Sequence, residues 1–377
     1  MRVLTLTPFY PSAADDAQGC FVAQPIKAME SLSITSVVIA AQPFYRGKLA
    51  PSSGAPATWV RYFSIPGRWG LSTAGAFLFA RLLPLVRRMH ASNAIDLIHA
   101  HAPLPAGHAA RLLSRELGIP YVVTVHGLDA FSTVQAGGVA GKWCERVSRA
   151  VFSSATRVLC VSNRVKEEVE AGAPSANTLV VYNGVDTEMF HPGNTADAST
   201  ILSIGNLIPV KGHDILIRAL ADVAREHAAL KLEIIGTGPE EESLRQLARN
   251  LGIADRVTFL GRQSRKRVAE ALQRCSIFAL PSRYEGLGCV YLEAMASAKP
   301  VVACRGQGIV ELIQNGKNGL LIEPGGVDQL GHALRALLEN SNLREQMGNA
   351  GRQTVLHGFR LADQAHQLAA VYEDAVR

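Results

Sequence analysis

The chain has 377 residues, 48% of them hydrophobic and 19% charged, with a formal net charge of +6 at pH 7. That length predicts two domains, and the apolar content is enough for two full cores. Six cysteines stand singly with no C-x-x-C spacing, which argues against a disulfide framework or a zinc site. No apolar run reaches the roughly 18 residues of a membrane-spanning helix, and in MRVLTLTPFYP proline comes too early for a signal sequence. The expectation is a cytoplasmic protein with reduced thiols.

Short apolar runs alternate with amphipathic segments, the pattern of parallel sheets covered by helices. The first series of predicted strands is 3–7, 36–40, 97–100, 121–125, 158–161 and 179–181. The basic surplus lies in this half, where residues 1–190 carry 17 Lys and Arg against 12 Asp and Glu. It concentrates between Ser31 and Ile95, where Arg46, Lys48, Arg61, Arg68, Arg81, Arg87 and Arg88 face no acidic residue. Phe44, Tyr45, Trp59, Trp69, Phe77 and Phe79 are interleaved with them. Such a segment suits a peripheral contact with an anionic membrane, or an anionic acceptor. A loop and an ordinary core helix with a solvated basic face remain the alternative, since Leu78, Leu82, Leu85 and Met89 recur at a helical period. Nucleic acid is not expected as a partner, because no recognition motif accompanies the charge.

After Val181 comes YNGVDTEMFHPGNTADAST, rich in turn residues and without either period, and this predicts the domain boundary. A second series follows at 201–205, 231–236, 257–261, 276–280, 300–304 and 319–323, and the last fifty residues are helical in pattern. The expected division is 1–185, 186–360 and a C-terminal helix, 361–377, returning to the first domain.

In PSRYEGLGCVYLEAMASAKPVV, residues 281–302, Glu285 and Glu293 are eight residues apart across a glycine-broken turn. At about 100° per residue that separation overshoots two helical turns by about 80°, so an unbroken helix would not align the carboxylates. A helix beginning near Leu287 or Gly288 puts Glu285 just ahead of it and Glu293 on its second turn. Free N–H groups between them, at the positive end of the helix dipole, favour a pyrophosphate, and flanking carboxylates accept hydrogen bonds from sugar hydroxyls. A turn and an exposed cap are the plainer reading of an isolated Glu pair. The strand, loop, helix, strand setting favours the ligand, since ligands gather at the carboxyl ends of such strands.

GNLIPVKGHD (205–214), GTGPE (236–240), PSRYEG with its second glutamate, and NGKNGLLIEPG (315–325) together resemble glycosyltransferase family four. TPFYP followed by a glycine, IHAH, VHGLD (125–129) and YNGVD (182–186) agree, so the likeness spans nearly the whole chain. The resemblance implies the GT-B fold, two Rossmann-like α/β domains facing across a cleft. It also implies retaining transfer of a sugar from a nucleoside diphosphate donor to a sugar, polysaccharide or lipid-linked acceptor, in cell-surface polysaccharide or glycolipid assembly.

On that likeness the catalytic candidates are His126, Lys211 and Glu285. Lys211 is similar to a lysine that contacts the donor diphosphate, and Arg262 stands where the family lines its nucleotide pocket. Asn206 departs from the arginine common there and removes one cation. Gly238, in a loop without the third glycine of a dinucleotide fingerprint, marks the nucleotide edge or is a structural turn. Gly286, Leu287 and Gly288 supply the N–H groups, Glu285 orients the sugar and Glu293 the ribose. Gly19 lets the first-domain backbone approach the donor or acceptor, and Asp129 is placed on the acceptor side. No D-x-D pair occurs, so no metal and no cofactor are expected, with a UDP-sugar favoured over a GDP-sugar as donor. A sugar-nucleotide epimerase of the same architecture and a non-catalytic membrane-associated adaptor are the competing readings.

Overall fold

A computed structural model describes residues 1–47, 54–66, 70–131, 137–193 and 199–377. Lys48, Arg68 and Trp69 of the basic stretch, and residues 194–198 of the boundary segment, lie outside the described residues. The chain forms two compact units, one of Met1–Asn183 with Leu361–Arg377 and the other of Gly184–Arg360.

The first unit is built on β1 (Arg2–Thr7), β2 (Thr35–Pro43), β3 (Thr58–Tyr62), β4 (Leu97–His101), β5 (Tyr121–Val125), β6 (Arg157–Cys160) and β7 (Thr178–Val180). All pair in parallel in the order β3-β2-β1-β4-β5-β6-β7. Helices cover both faces, so a central strand such as β5, YVVTV, is buried at every residue and reads as one apolar run. β3 was not foreseen. It is an edge strand of five residues whose exposed Thr58 and Arg61 alternate with buried Val60 and Tyr62, and in the sequence it merges into the basic stretch. The helix Leu71–Ser92 buries Ala74, Leu78, Leu82 and Val86, while Leu85 and Met89 are only half-buried. Its stripe turns toward the i+4 rows, away from the expected one. Helix Leu361–Val376 belongs to this unit, where Leu368, Val371, Tyr372 and Ala375 share a core with Val3, Leu97 and Val122.

The second unit carries β8 (Thr200–Ile204), β9 (Lys231–Ile235), β10 (Val257–Gly261), β11 (Ile277–Leu280), β12 (Val301–Cys304) and β13 (Leu320–Ile322). They are parallel in the order β10-β9-β8-β11-β12-β13. Strand order reverses between β8 and β11, where Ile201 faces Ile277 and Leu202 faces Phe278. At such a reversal the connections leave the strand ends in opposite directions and open a crevice for a ligand.

Of the six cysteines, Cys144, Cys160, Cys275 and Cys304 are buried, and burial pushes the Cys160 and Cys275 thiols up to about 12. Cys20 and Cys289 are half-exposed, each as the first residue of a helix. Among the described residues, no helix is long and apolar enough to cross a membrane.

Candidate active site

The carboxyl ends of β8 and β11 carry the two groups that matter most in the second unit. After β8, a turn of 3₁₀-helix Pro209–Lys211 lifts Lys211 to the start of helix His213–Val223. After β11, the loop from Pro281 delivers Glu285, and Lys211 Nζ donates to Glu285 Oε1 at 2.5 Å. Both side chains are largely shielded, at 19% and 11% exposure, so this ion pair is weakly screened. Residues 74 positions apart are thus joined by the reversal of strand order.

The loop behind the pair is fixed by Gln307, a residue the sequence reading did not single out. Its side-chain oxygen accepts from the Glu285 backbone N–H at 2.6 Å and its amide donates to the Arg283 carbonyl at 2.7 Å. Helix Cys289–Ala296 then begins at Gly288, whose φ of 82° lies in the left-handed region. A Cβ there would lie 2.6 Å from the Tyr291 ring, so glycine is required by both backbone and space. No side chain caps this helix, and among the described residues the backbone N–H groups of Leu287 and Gly288 meet no protein acceptor.

Glu293 projects from the second turn, buried, and its Oε1 accepts from Arg265 Nη1 at 2.5 Å. Arg265 was not anticipated. Its guanidinium lies 4.8 Å from the centre of the Phe190 ring. The sequence held a signal for it: Arg265 shares the apolar face of helix Arg265–Arg274 with Val268, Ala269 and Leu272, a place where a charge needs a partner. The second oxygen of Glu293 meets no protein donor among the described residues. Arg262, expected at the nucleotide pocket, is exposed just beyond β10 and joins neither ion pair. Asn206 is exposed in the turn after β8, and Gly238 lies in the adjoining loop, where Leu207 donates to the Thr237 carbonyl and Glu240 to that of Leu207.

In the first unit the histidines form a network. His99 Nδ1 meets Tyr372 Oη at 2.6 Å, His99 Nε2 meets Thr124 Oγ1 at 2.7 Å, and His101 Nδ1 meets His126 Nε2 at 3.1 Å. Burial holds His99 and His126 down at about 3 and His101 well below its usual range, with neighbouring histidines adding to the effect on His99 and His101. All three rings are therefore neutral at pH 7. His126 also packs against Phe21 at 4.7 Å and presents its edge to Phe9. Gly19 opens the helix that carries Phe21. Its φ is 71°, and a Cβ would stand 2.5 Å from the Phe9 carbonyl carbon, so only glycine allows that approach. Asp129 Oδ1 accepts from the His126 backbone N–H at 2.9 Å, and burial raises its carboxyl to about 7 against the backbone bonds that lower it. Gly19, His126 and Asp129 are thus drawn together in one unit, with Lys211 and Glu285 paired in the other.

Residues 26–189 match the family model for Glycosyltransferase Family 4, and residues 185–354 that for Glycosyl transferases group 1. The N-acetyl-alpha-D-glucosaminyl L-malate synthase of Bacillus anthracis is 31% identical over 296 residues, which are 75% of this chain and 76% of that protein. The chain belongs to glycosyltransferase family four. It is accordingly an enzyme that transfers sugars. Sucrose-phosphate synthase from Thermosynechococcus elongatus superposes with a TM-score of 0.83 at 20% identity, covering 99% of each chain. HepE of Anabaena, solved in complex with UDP and glucose, gives 0.78 at 21%, again over 99% of each. The glycosyltransferase therefore has the GT-B type of fold, with two parallel-sheet Rossmann-like domains. Family membership also sets aside the non-catalytic adaptor.

Proposed function

We propose that this glycosyltransferase moves a sugar from a nucleoside diphosphate donor to an acceptor hydroxyl, with retention at the anomeric carbon and without a metal ion. The observation that carries the reading is the Lys211–Glu285 pair at the β8/β11 reversal, set before two unsatisfied N–H groups at a helix start. As the glycosidic bond to phosphate breaks, negative charge grows on the departing diphosphate. A fixed ammonium and backbone dipoles stabilise that charge without reorganising. Lys211 has three donors, so it can keep Glu285 and still reach a phosphate oxygen. Glu285, steadied by Lys211 and Gln307, orients the sugar, and the free oxygen of Glu293 is available to a ribose hydroxyl.

His126 contributes a neutral ring whose Nε2 is engaged by His101, which leaves Nδ1 for a sugar or acceptor hydroxyl. Asp129, with its carboxyl near 7, is poised to accept a proton or a hydrogen bond on the acceptor side. Lys211 and the helix-start N–H groups, which can supply the charge stabilisation in a chain with no D-x-D pair, support the metal-independent reading. The proposed setting is polysaccharide or glycolipid assembly, and a UDP-sugar is the first donor to try, since HepE was solved in complex with UDP.

Incubating the purified protein with UDP- and GDP-sugars, with and without acceptor and with and without EDTA, tests the proposal. Transfer that needs an acceptor, survives chelation and yields an unchanged anomeric configuration by NMR is expected. Conversion of the donor sugar in the absence of any acceptor would instead make the protein an epimerase.

A further inference from the structure

The first unit contains a cavity of about 440 Å³ at the carboxyl ends of β2 and β3, lined by Gln42, Tyr45, Arg46, Trp59, Tyr62 and Asp129 among others. Trp59 brings an indole N–H that is shielded from water and, among the described residues, meets no protein acceptor. From Tyr45 a continuous run of rings leads away from the cavity. Tyr45 meets Phe44 edge-on at 5.8 Å, Phe44 stacks on Phe63 at 5.5 Å with 5° between planes, and Phe63 meets Phe77 edge-on at 4.9 Å. These four rings are 46%, 44%, 52% and 39% exposed, and Ile65 is 47% exposed. One exposed ring is ordinary on a protein surface, but a connected run of four with an isoleucine is a surface that wants covering.

We propose that this cavity and ring track take an amphiphilic acceptor, with an anionic head beside its hydroxyl entering at Arg46 and an apolar chain lying along Tyr45, Phe44, Phe63 and Phe77. The assignment rests on the glycosyltransferase reading above, and names the class of acceptor. The outer three rings are phenylalanine, with no hydroxyl or N–H to direct at a saccharide. Among the described residues, Asp129 is the one carboxylate in the cavity lining, and it serves the acceptor hydroxyl. The stretch from Ser31 to Ile95 that carries the rings offers no carboxylate, and its Arg46, Arg61 and Arg81 supply positive charge. A hydrocarbon chain needs the rings and nothing else, and the arginines complement an anionic head. A methylene buried on all sides strengthens binding about 4-fold, and one covered on a single side about 2-fold.

The test uses the whole protein and two simple probes, methyl phosphate and hexyl phosphate below its micellar concentration, titrated by calorimetry. Five additional methylenes at about 2-fold each predict roughly 30-fold tighter binding of hexyl phosphate. Phe63→Gln and, independently, Phe77→Gln should remove most of that gain while leaving methyl phosphate unchanged. Arg46→Gln should weaken both probes alike. Equal affinity for the two probes, or a chain-length gain that survives in both ring variants, overturns the assignment. Binding to phosphatidylglycerol vesicles with no binding of hexyl phosphate also overturns it, by giving the track to a bilayer surface. UDP is titrated into the same preparations. A protein that binds UDP but ignores chain length loses only the amphiphile, whereas one that binds no nucleoside diphosphate loses the donor reading and this assignment with it.

Discussion

Glu293→Ala takes away the carboxylate that accepts from Arg265 Nη1, in a site where the arginine side chain is 10% exposed and the glutamate 5%. Breaking a buried pair by removing one member costs about 3–5 kcal/mol, because the remaining charge keeps its desolvation penalty and loses a charged hydrogen-bond partner. In a unit of this size each kcal/mol lowers the melting temperature by about 2–4 °C, so a fall of roughly 10 °C is expected. The complementary variant, Arg265→Met, should behave differently with pH. A stranded carboxylate can be neutralised by a proton, at a cost that falls by about 1.4 kcal/mol per unit as the pH is lowered, whereas a guanidinium cannot lose its charge. Differential scanning calorimetry at pH 7.5 and 5.5, on each variant relative to wild type, reads both effects. Arg265→Met should recover relative stability at the lower pH, Glu293→Ala should not, and the double variant Arg265→Met with Glu293→Leu should approach wild type at both. Equal, pH-independent losses in the two single variants would refute the buried-pair reasoning. So would a double variant no better than either single one.

Other consequences are independent of that pair. His99, His126 and His213 are held at about 3, 3 and 4 by burial, below the value near 6.5 of the unfolded chain. The unfolded chain then binds more protons, so each contributes a loss of about 1.4 kcal/mol per pH unit as pH falls from about 6.5 toward those values. Asp129, raised to about 7, has the opposite sign and partly offsets one histidine between about pH 7 and 4. Melting temperature should decline from pH 7 to 5, and a flat or rising profile would contradict the neutral histidine network. Gly288→Ala forces a Cβ against Tyr291, whose hydroxyl donates to the Leu280 carbonyl at 2.6 Å, and places alanine in the left-handed region. The left-handed backbone alone costs about 1–2 kcal/mol, and UDP affinity should fall at least 10-fold as the helix start shifts. Native affinity in this variant would separate the helix start from the donor.

Much of the fold was legible because buried parallel strands carry an uninterrupted apolar signal. Residues 121–125 and 257–261 were read as strands with the bounds they have, since polar or turn residues flank short β-branched runs. β3 escaped because an edge strand alternates, and its Trp59 and Arg61 looked like part of a basic aromatic surface. There the expectation was half right. Phe44, Tyr45 and Phe77 are exposed, but Trp59 and Phe79 are half-buried. Glycine spacing announced the turn before helix Cys289–Ala296, because a left-handed residue beside a ring leaves no other choice. What stayed hidden was partner choice across long stretches of chain. Nothing near His99 pointed to Tyr372, 273 residues on, and nothing near Glu293 pointed to Arg265, which a helix two elements earlier delivers from its apolar face. Gln307 is a polar residue in a turn, and its two hydrogen bonds to the Glu285 loop exist only once β12 lies beside β11.

The central claim is that a nucleoside diphosphate is held in the second unit by Lys211 and the N–H groups before helix Cys289–Ala296. Isothermal calorimetry of UDP into the wild-type protein and into Lys211→Met tests it most directly, because methionine keeps the length of the stem and removes the ammonium, together with its bond to Glu285. The account predicts saturable binding of UDP to wild type and at least 10-fold weaker binding to the variant, both folded by circular dichroism. Equal affinities, or no binding of UDP, GDP or ADP to the wild-type protein, would contradict it.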